Sequence, residues 1–138
     1  MKPITDNVSV TGQLTAEDFK RLAAEGVKTI INNRPDGEIP MQPSAEDLAI
    51  AAKDHGLTYH HLPMQGGLTP VLLSGSVDAY ANSPTPIVAF CGSGTRSAAL
   101  WCFAEVKECG VDEVLAAVAA QGYRLEQLRG PLAGFAAA

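Results

Sequence analysis

Pro86-Ile-Val-Ala-Phe-Cys91-Gly-Ser-Gly-Thr-Arg96-Ser-Ala-Ala-Leu-Trp101 is the stretch whose reading decides the fold. Ile87 to Phe90 is a short apolar run of strand formers entered after prolines, so it predicts a buried strand. From Ala98 onward the residues are helix formers, and Ala99, Cys102, Phe103 and Val106 recur at the spacing of one helix face. Between strand and helix, Cys91 to Arg96 places a thiol, two glycines, two hydroxyls and a guanidinium in one turn.

Such a turn suits an anion. Gly92 and Gly94 let the backbone curl so that successive N–H groups face one concavity. The helix that follows adds its unpaired first-turn N–H groups and the positive end of its dipole. Arg96 adds a planar fork that matches two oxygens of a phosphate or sulfate-like group. The same field favours the thiolate form of Cys91, which is the nucleophile. Ser93, Thr95 and Ser97 bring hydroxyls that can bond the bound group or the thiolate. The anion-binding set is therefore Gly92, Ser93, Gly94, Thr95, Arg96 and Ser97. The plainer reading is a tight strand-to-helix connection with a buried thiol and a surface arginine. A cysteine and an arginine at this spacing are weak alone; the glycines and the flanking elements make the anion site the stronger reading.

The rest of the composition sets bounds. The chain has 138 residues, 46% apolar and 18% charged, as expected of one globular domain spanning 1–138. A formal net charge of -5 argues against a nucleic-acid partner, which would call for a basic face. The first residues lack the apolar core of a signal peptide, and the longest apolar run, Val114 to Ala120, is too short to span a bilayer. Three cysteines without framework spacing fit a reducing cytoplasm.

Working outward from the central turn, strands and helices alternate. Val8 to Val10 reads as a short edge strand. Thr15 caps a helix that passes Phe19, Leu22 and Ala23 and stops at Gly26. Val27 to Asn32 is strand-like, and Asn33-Arg-Pro-Asp-Gly-Glu38 is a polar loop. Ser44 starts a second helix, ended by Gly56. Leu57 to Leu62 is a strand carrying His60 and His61. Thr69-Pro70 starts a third helix, to about Ala81. After the helix that follows Arg96, Gly110 breaks the chain and Val111 to Ala120 forms another. Arg124 to Leu128 reads as a short turn, and Ala133 to Ala138 as a frayed tail. The alternation predicts an α/β fold with a mainly parallel sheet flanked by helices. Cys91 then lies at the carboxyl end of a strand, where ligands bind in such sheets.

Cys91-Gly-Ser-Gly-Thr-Arg-Ser97, with Val10-Thr-Gly-Gln13, Asn33-Arg-Pro-Asp-Gly-Glu38 and His61-Leu-Pro-Met64, resembles the bacterial beta-lactamase-hydrolase-like phosphatase-like domain family, over about Val8 to Leu128. The resemblance implies a tyrosine-phosphatase-like fold and catalytic roles for Cys91 and Arg96. It also implies a link to persulfide metabolism, since related domains occur fused to metallo-hydrolase-like persulfide enzymes. Two departures stand out. Phe90 replaces the histidine that usually precedes the phosphatase cysteine, and four residues rather than five separate Cys91 from Arg96, a spacing that also resembles rhodaneses. Where the family often has an arginine after the cysteine, this chain has Gly92, which takes a positive charge from the mouth of the site.

Two chemistries follow for one thiolate; the whole-chain resemblance makes phosphatase-like hydrolysis the leading expectation, while the short loop and the missing acid favour sulfur transfer as the alternative. As a phosphatase, Cys91 attacks phosphorus to give a phosphocysteine, Arg96 and the loop hold the oxygens, and a general acid protonates the leaving oxygen. The upstream loop Pro63 to Thr69 has no carboxylate, so Asp36, with Glu38 beside it, is the candidate acid; the alternative is that Asp36-Gly37 simply makes a turn. As a sulfurtransferase, Cys91 takes a sulfane sulfur as a persulfide, and no acid is required. A third possibility is an idle domain that binds phosphate or a phosphoprotein through Arg96. The partner expected in every case is a small anion or a phosphoprotein, with no cofactor, metal, nucleic acid or membrane. Cys102 falls on the apolar face of its helix and reads as core. His60 and His61 point to opposite faces of their strand and show no zinc spacing. Trp101 reads as a core anchor.

Overall fold

The computed structural model describes residues 1–138. A five-stranded sheet runs in the order β1-β2-β5-β3-β4, formed by β1 (Lys2–Pro3), β2 (Val8–Thr11), β3 (Thr29–Asn32), β4 (Thr58–His61) and β5 (Ile87–Phe90). All neighbours are parallel except β1 on β2. The fold is thus α/β with a mainly parallel sheet flanked by helices.

β5 is the central strand, and all four of its residues are buried. Ile87 and Ala89 face one core, Val88 and Phe90 the other, as the two-residue period of a strand buried on both faces requires. The larger core holds α3 (Pro70–Asn82), α4 (Thr95–Cys109), α5 (Val111–Ala119) and α6 (Arg129–Ala137) against one face. The smaller packs α1 (Ala16–Ala24) and α2 (Ala45–Asp54) on the opposite face, around Phe19, Leu22, Ile30, Leu48 and Phe90. Trp101 is buried in the larger core.

The helix starts follow their sequence signals. Thr15 and Asp18 form a reciprocal capping box, Ser44 accepts from Asp47 N–H, and Thr69 accepts from Leu72 N–H with Pro70 in the first turn. Three expectations need correction. β2 is not an edge strand, because β1 covers it. The helix after Cys91 begins at Thr95 rather than near Ala98, so Arg96 and Ser97 lie in its first turn. The expected frayed tail is largely α6: Leu132 is fully buried, and Phe135 meets Phe103 edge-on with centroids 5.7 Å apart. Gly130, Pro131 and Gly134 make that segment read as irregular, yet Pro131 is tolerated in the first turn and the buried contacts hold the rest.

The register brings the site together. Phe90 pairs with Thr11 on one side and with Asn32 on the other, and Asn32 with His61. The carboxyl ends of four parallel strands are therefore level. The segments that leave them, Gly12-Gln13, Asn33 to Glu38, Leu62 to Met64 and Cys91 to Arg96, are gathered at one edge of the sheet.

Candidate active site

The Cys91 turn is held from below. Cys91 N–H donates to the Thr11 carbonyl at 3.3 Å, tying the first residue of the loop to the end of β2. Gly94 has φ of 92°, a left-handed conformation that glycine adopts without a Cβ penalty. It turns the chain into α4 so that the first-turn N–H groups face the thiol. Gly94 N–H reaches Cys91 Sγ at 3.1 Å. Burial pushes the Cys91 thiol up, but the backbone N–H groups of Ser97, Ser93, Gly94 and Arg96 outweigh it and hold its pKa below the ordinary thiol value. Cys91 is fully buried.

Arg96 leaves the first turn of α4 and meets Glu38 through both of its terminal nitrogens, each at 2.8 Å, and the Met64 carbonyl at 3.1 Å. The same carboxylate accepts from Arg34 Nε at 2.8 Å. Hydrogen bonds from Arg96 and then Arg34 lower the Glu38 pKa to about 2. Arg96, in turn, is raised chiefly by Glu38.

Arg34 is buried and reaches Gln13 Oε1 at 2.9 Å. A Cβ placed on Gly92 would stand 3.4 Å from Arg96 Nη2 and 3.7 Å from the Arg34 guanidinium carbon. Two guanidinium groups therefore flank Gly92, and the positive charge expected to be missing there is supplied from the β3 loop. Asn33 knits the same loops from inside: its N–H donates to Phe90 O, its amide N to Leu62 O at 2.9 Å, and its Oδ1 accepts from Ser97 Oγ at 2.8 Å.

The structure sorts the residues singled out in the sequence. Cys91, Gly92, Ser93, Gly94, Thr95 and Arg96 form one loop around the sulfur. Ser97 contributes its backbone N–H, while its hydroxyl is committed to Asn33 and does not face an anion. The Ser93 and Thr95 hydroxyls pair with each other at 3.0 Å. Asp36 is not placed as an acid: its Oδ1 accepts from Ala45 N–H at 2.8 Å at the start of α2, and no hydrogen bond joins it to Cys91 or Arg96. Glu38 reaches the site, but as a carboxylate between two arginines rather than a proton donor. His61 bonds the Arg34 carbonyl and His60 bonds Ser83. Cys102 is buried, with its thiol pushed up to about 12 by burial, so it offers no second thiolate.

Sequence reasoning passed over the roles of Gln13, Asn33 and Arg34, although all lie within the motifs that carried the resemblance. It missed Tyr123 altogether. That side chain arrives from the turn after α5, and its hydroxyl donates to the Ser93 carbonyl at 3.2 Å.

Comparison with known proteins supports the same fold. Residues 1–108 match the family model for the beta-lactamase hydrolase-like protein, phosphatase-like domain. A beta-lactamase hydrolase-like protein of Xylella fastidiosa strain 9a5c is 34% identical over 125 residues, covering 88% of this chain and 29% of that protein. One from Agrobacterium fabrum is 35% identical over 106 residues, covering 74% and 24%. The chain thus spans less than a third of the length of these curated relatives. Among solved structures, a Neisseria meningitidis protein described as a "putative phosphatase" superposes with a TM-score of 0.80 at 29% identity, covering 97% of this chain and 96% of that one. The core catalytic domain of the PP-IP phosphatase SIW14 from S. cerevisiae shares the fold at 19% identity, with a TM-score of 0.61 and coverage of 94% and 78%. With its family motifs, its sheet and its phosphatase-like neighbours all in agreement, this chain belongs to the beta-lactamase hydrolase-like phosphatase-like domain family.

Proposed function

We propose that Cys91 is the nucleophile of an enzyme that takes a group from a small anion whose leaving partner departs without being protonated. The observation that carries this reading is the composition of the site: a thiolate favoured by four backbone N–H groups, two arginines, and a single carboxylate held ionised between them. A general acid must hold a proton near neutral pH. While Arg96 and Arg34 hold it, Glu38, with a pKa lowered to about 2, does not, and Asp36 accepts from the start of α2.

Sulfur transfer meets that condition most directly. The Cys91 thiolate attacks the outer sulfur of thiosulfate; a sulfur–sulfur bond forms to Cys91, the bond to the sulfonate sulfur breaks, and sulfite leaves with the electron pair. An acceptor such as cyanide then takes the sulfane sulfur as thiocyanate and returns the thiolate. Arg96 and the loop N–H groups hold the oxygens, and the incoming anion displaces Glu38 from the Arg96 fork.

Phosphoester hydrolysis is the second reading, favoured by family membership and by the phosphatase-like neighbours. Cys91 attacks phosphorus, the phosphorus–oxygen bond breaks, and water later releases phosphate from the phosphocysteine. Without an acid, this chemistry is confined to esters such as aryl phosphates, whose oxygen leaves as a stable anion. A paired assay on the protein and on Cys91→Ser separates the two: thiocyanate from thiosulfate and cyanide in one arm, aryl alcohol from an aryl phosphate in the other. Cys91-dependent thiocyanate supports sulfur transfer, and Cys91-dependent phosphate release alone supports the hydrolase. Anion binding with turnover in neither arm would leave only a binding module.

A further inference from the structure

Tyr123 follows α5, beyond the residues that the family model matches. Its hydroxyl donates to the Ser93 carbonyl at 3.2 Å, and the adjoining N–H, that of Gly94, donates to Cys91 Sγ at 3.1 Å. These two groups belong to one peptide unit. The only cis peptide in the chain is Thr85-Pro86, so the Ser93–Gly94 peptide is trans, and its C=O and N–H point in opposite directions. Whatever fixes the carbonyl end therefore aims the N–H end.

We propose that Tyr123 is a positioning residue for Cys91: its hydroxyl anchors the Ser93 carbonyl outward and so keeps the Gly94 N–H on the sulfur. The alternative is a flipped peptide, which would turn a carbonyl oxygen toward a thiolate. Glycine at 94 makes that flip sterically open, because it tolerates either sign of φ. Something outside the loop must then choose between the two orientations.

The packing around Tyr123 fits this role. A Cβ on Gly94 would overlap the Tyr123 hydroxyl and lie 3.4 Å from Thr11 O, so Tyr123 fills the space that only glycine leaves. Lys2 Nζ lies 5.5 Å from the Tyr123 ring centroid and donates to the Gln121 carbonyl at 3.0 Å, bracing the turn from β1. Burial first, and the Cys91 charge second, push the Tyr123 phenol above its ordinary pKa. It thus stays a protonated donor over the range in which Cys91 ionises.

The proposal rests on Cys91 as the nucleophile, and the test separates the two. Cys109 is exposed, so the parent for this test carries Cys109→Ser. The pH dependence of alkylation by iodoacetamide is measured on this parent, on added Tyr123→Phe and on added Tyr123→Leu, alongside their unfolding temperatures. Losing the anchor on one hydrogen bond to the thiolate is expected to move the Tyr123→Phe midpoint up and cut the rate below both midpoints about fivefold. Tyr123→Leu should move at least as far, and Tyr123→Phe should keep the parent's unfolding temperature. A Tyr123→Phe midpoint equal to the parent's overturns the proposal. So does a shift seen only with leucine, which would mean ring packing rather than the hydroxyl. If the low-pH alkylation limb survives Cys91→Ser with Tyr123 intact, the nucleophile assignment itself fails, and the proposal falls with it.

Discussion

Glu38 and Arg96 carry the main tension in the site. The carboxylate occupies both terminal nitrogens of the guanidinium at 2.8 Å, which is where two oxygens of a substrate anion would sit. Glu38 is therefore an internal competitor. Glu38→Gln is expected to tighten sulfate or thiosulfate binding roughly fivefold, about the worth of one partly exposed ion pair, as read by calorimetric titration. Weaker binding in that variant would show instead that Glu38 is needed to hold Arg96 in place. Because Arg34 also flanks Gly92, Arg34→Ala should weaken anion binding, as Arg96→Ala should. The Glu38 pair also has a pH signature. Its folded-state pKa lies below the ordinary 4.5, so its contribution to stability is present above about 4.5 and is lost as pH falls toward 2. Catalysis should show a different limb. With the Cys91 pKa below its ordinary value and no acid to lose, kcat/KM should rise with pH through the thiol ionisation and then stay level. A bell-shaped profile would reveal a proton donor and favour the phosphatase reading.

Among the elements, β5, the Cys91 turn and α4 were legible because apolar run, glycines and helical spacing all agree over a short stretch. The capped starts of α1, α2 and α3 were legible for the same reason: Thr15, Ser44 and Thr69-Pro70 act on their own next turn. α6 was hidden, since its stability comes from Leu132 and Phe135 meeting α4 rather than from local propensity. Leu132→Ala should cost about 2 to 5 kcal/mol in denaturant unfolding, as for a fully buried leucine. A loss below about 0.5 kcal/mol would mean that the segment frays as its composition implies. The different contacts of Asp36 and Glu38 were hidden for a related reason. Asp36 and Glu38 lie in one short loop and differ by two positions, yet one turns to α2 and the other to Arg96. Spacing along a loop does not encode that choice.

At the scale of the whole molecule, the strand register makes the site. Levelling Thr11, Asn32, His61 and Phe90 brings four connecting segments to one edge, so the Cys91 thiol after β5, a guanidinium and a carboxylate from the β3 loop and a carbonyl from the β4 loop converge. The parallel sheet and the place of Cys91 at its carboxyl end were readable from alternation alone. Tyr123 was not, because its contact with Ser93 spans 30 residues and depends on how α4 and α5 pack. The central claim is that this assembly makes Cys91 a nucleophile that carries the transferred group. The most direct test is peptide-resolved mass spectrometry of the protein after brief exposure to thiosulfate or to an aryl phosphate. The account predicts one added sulfur on the Cys91 peptide, discharged by cyanide, or in the second reading one phosphoryl group discharged by water. Turnover without any adduct at Cys91, or with the group carried on Cys109, would contradict it.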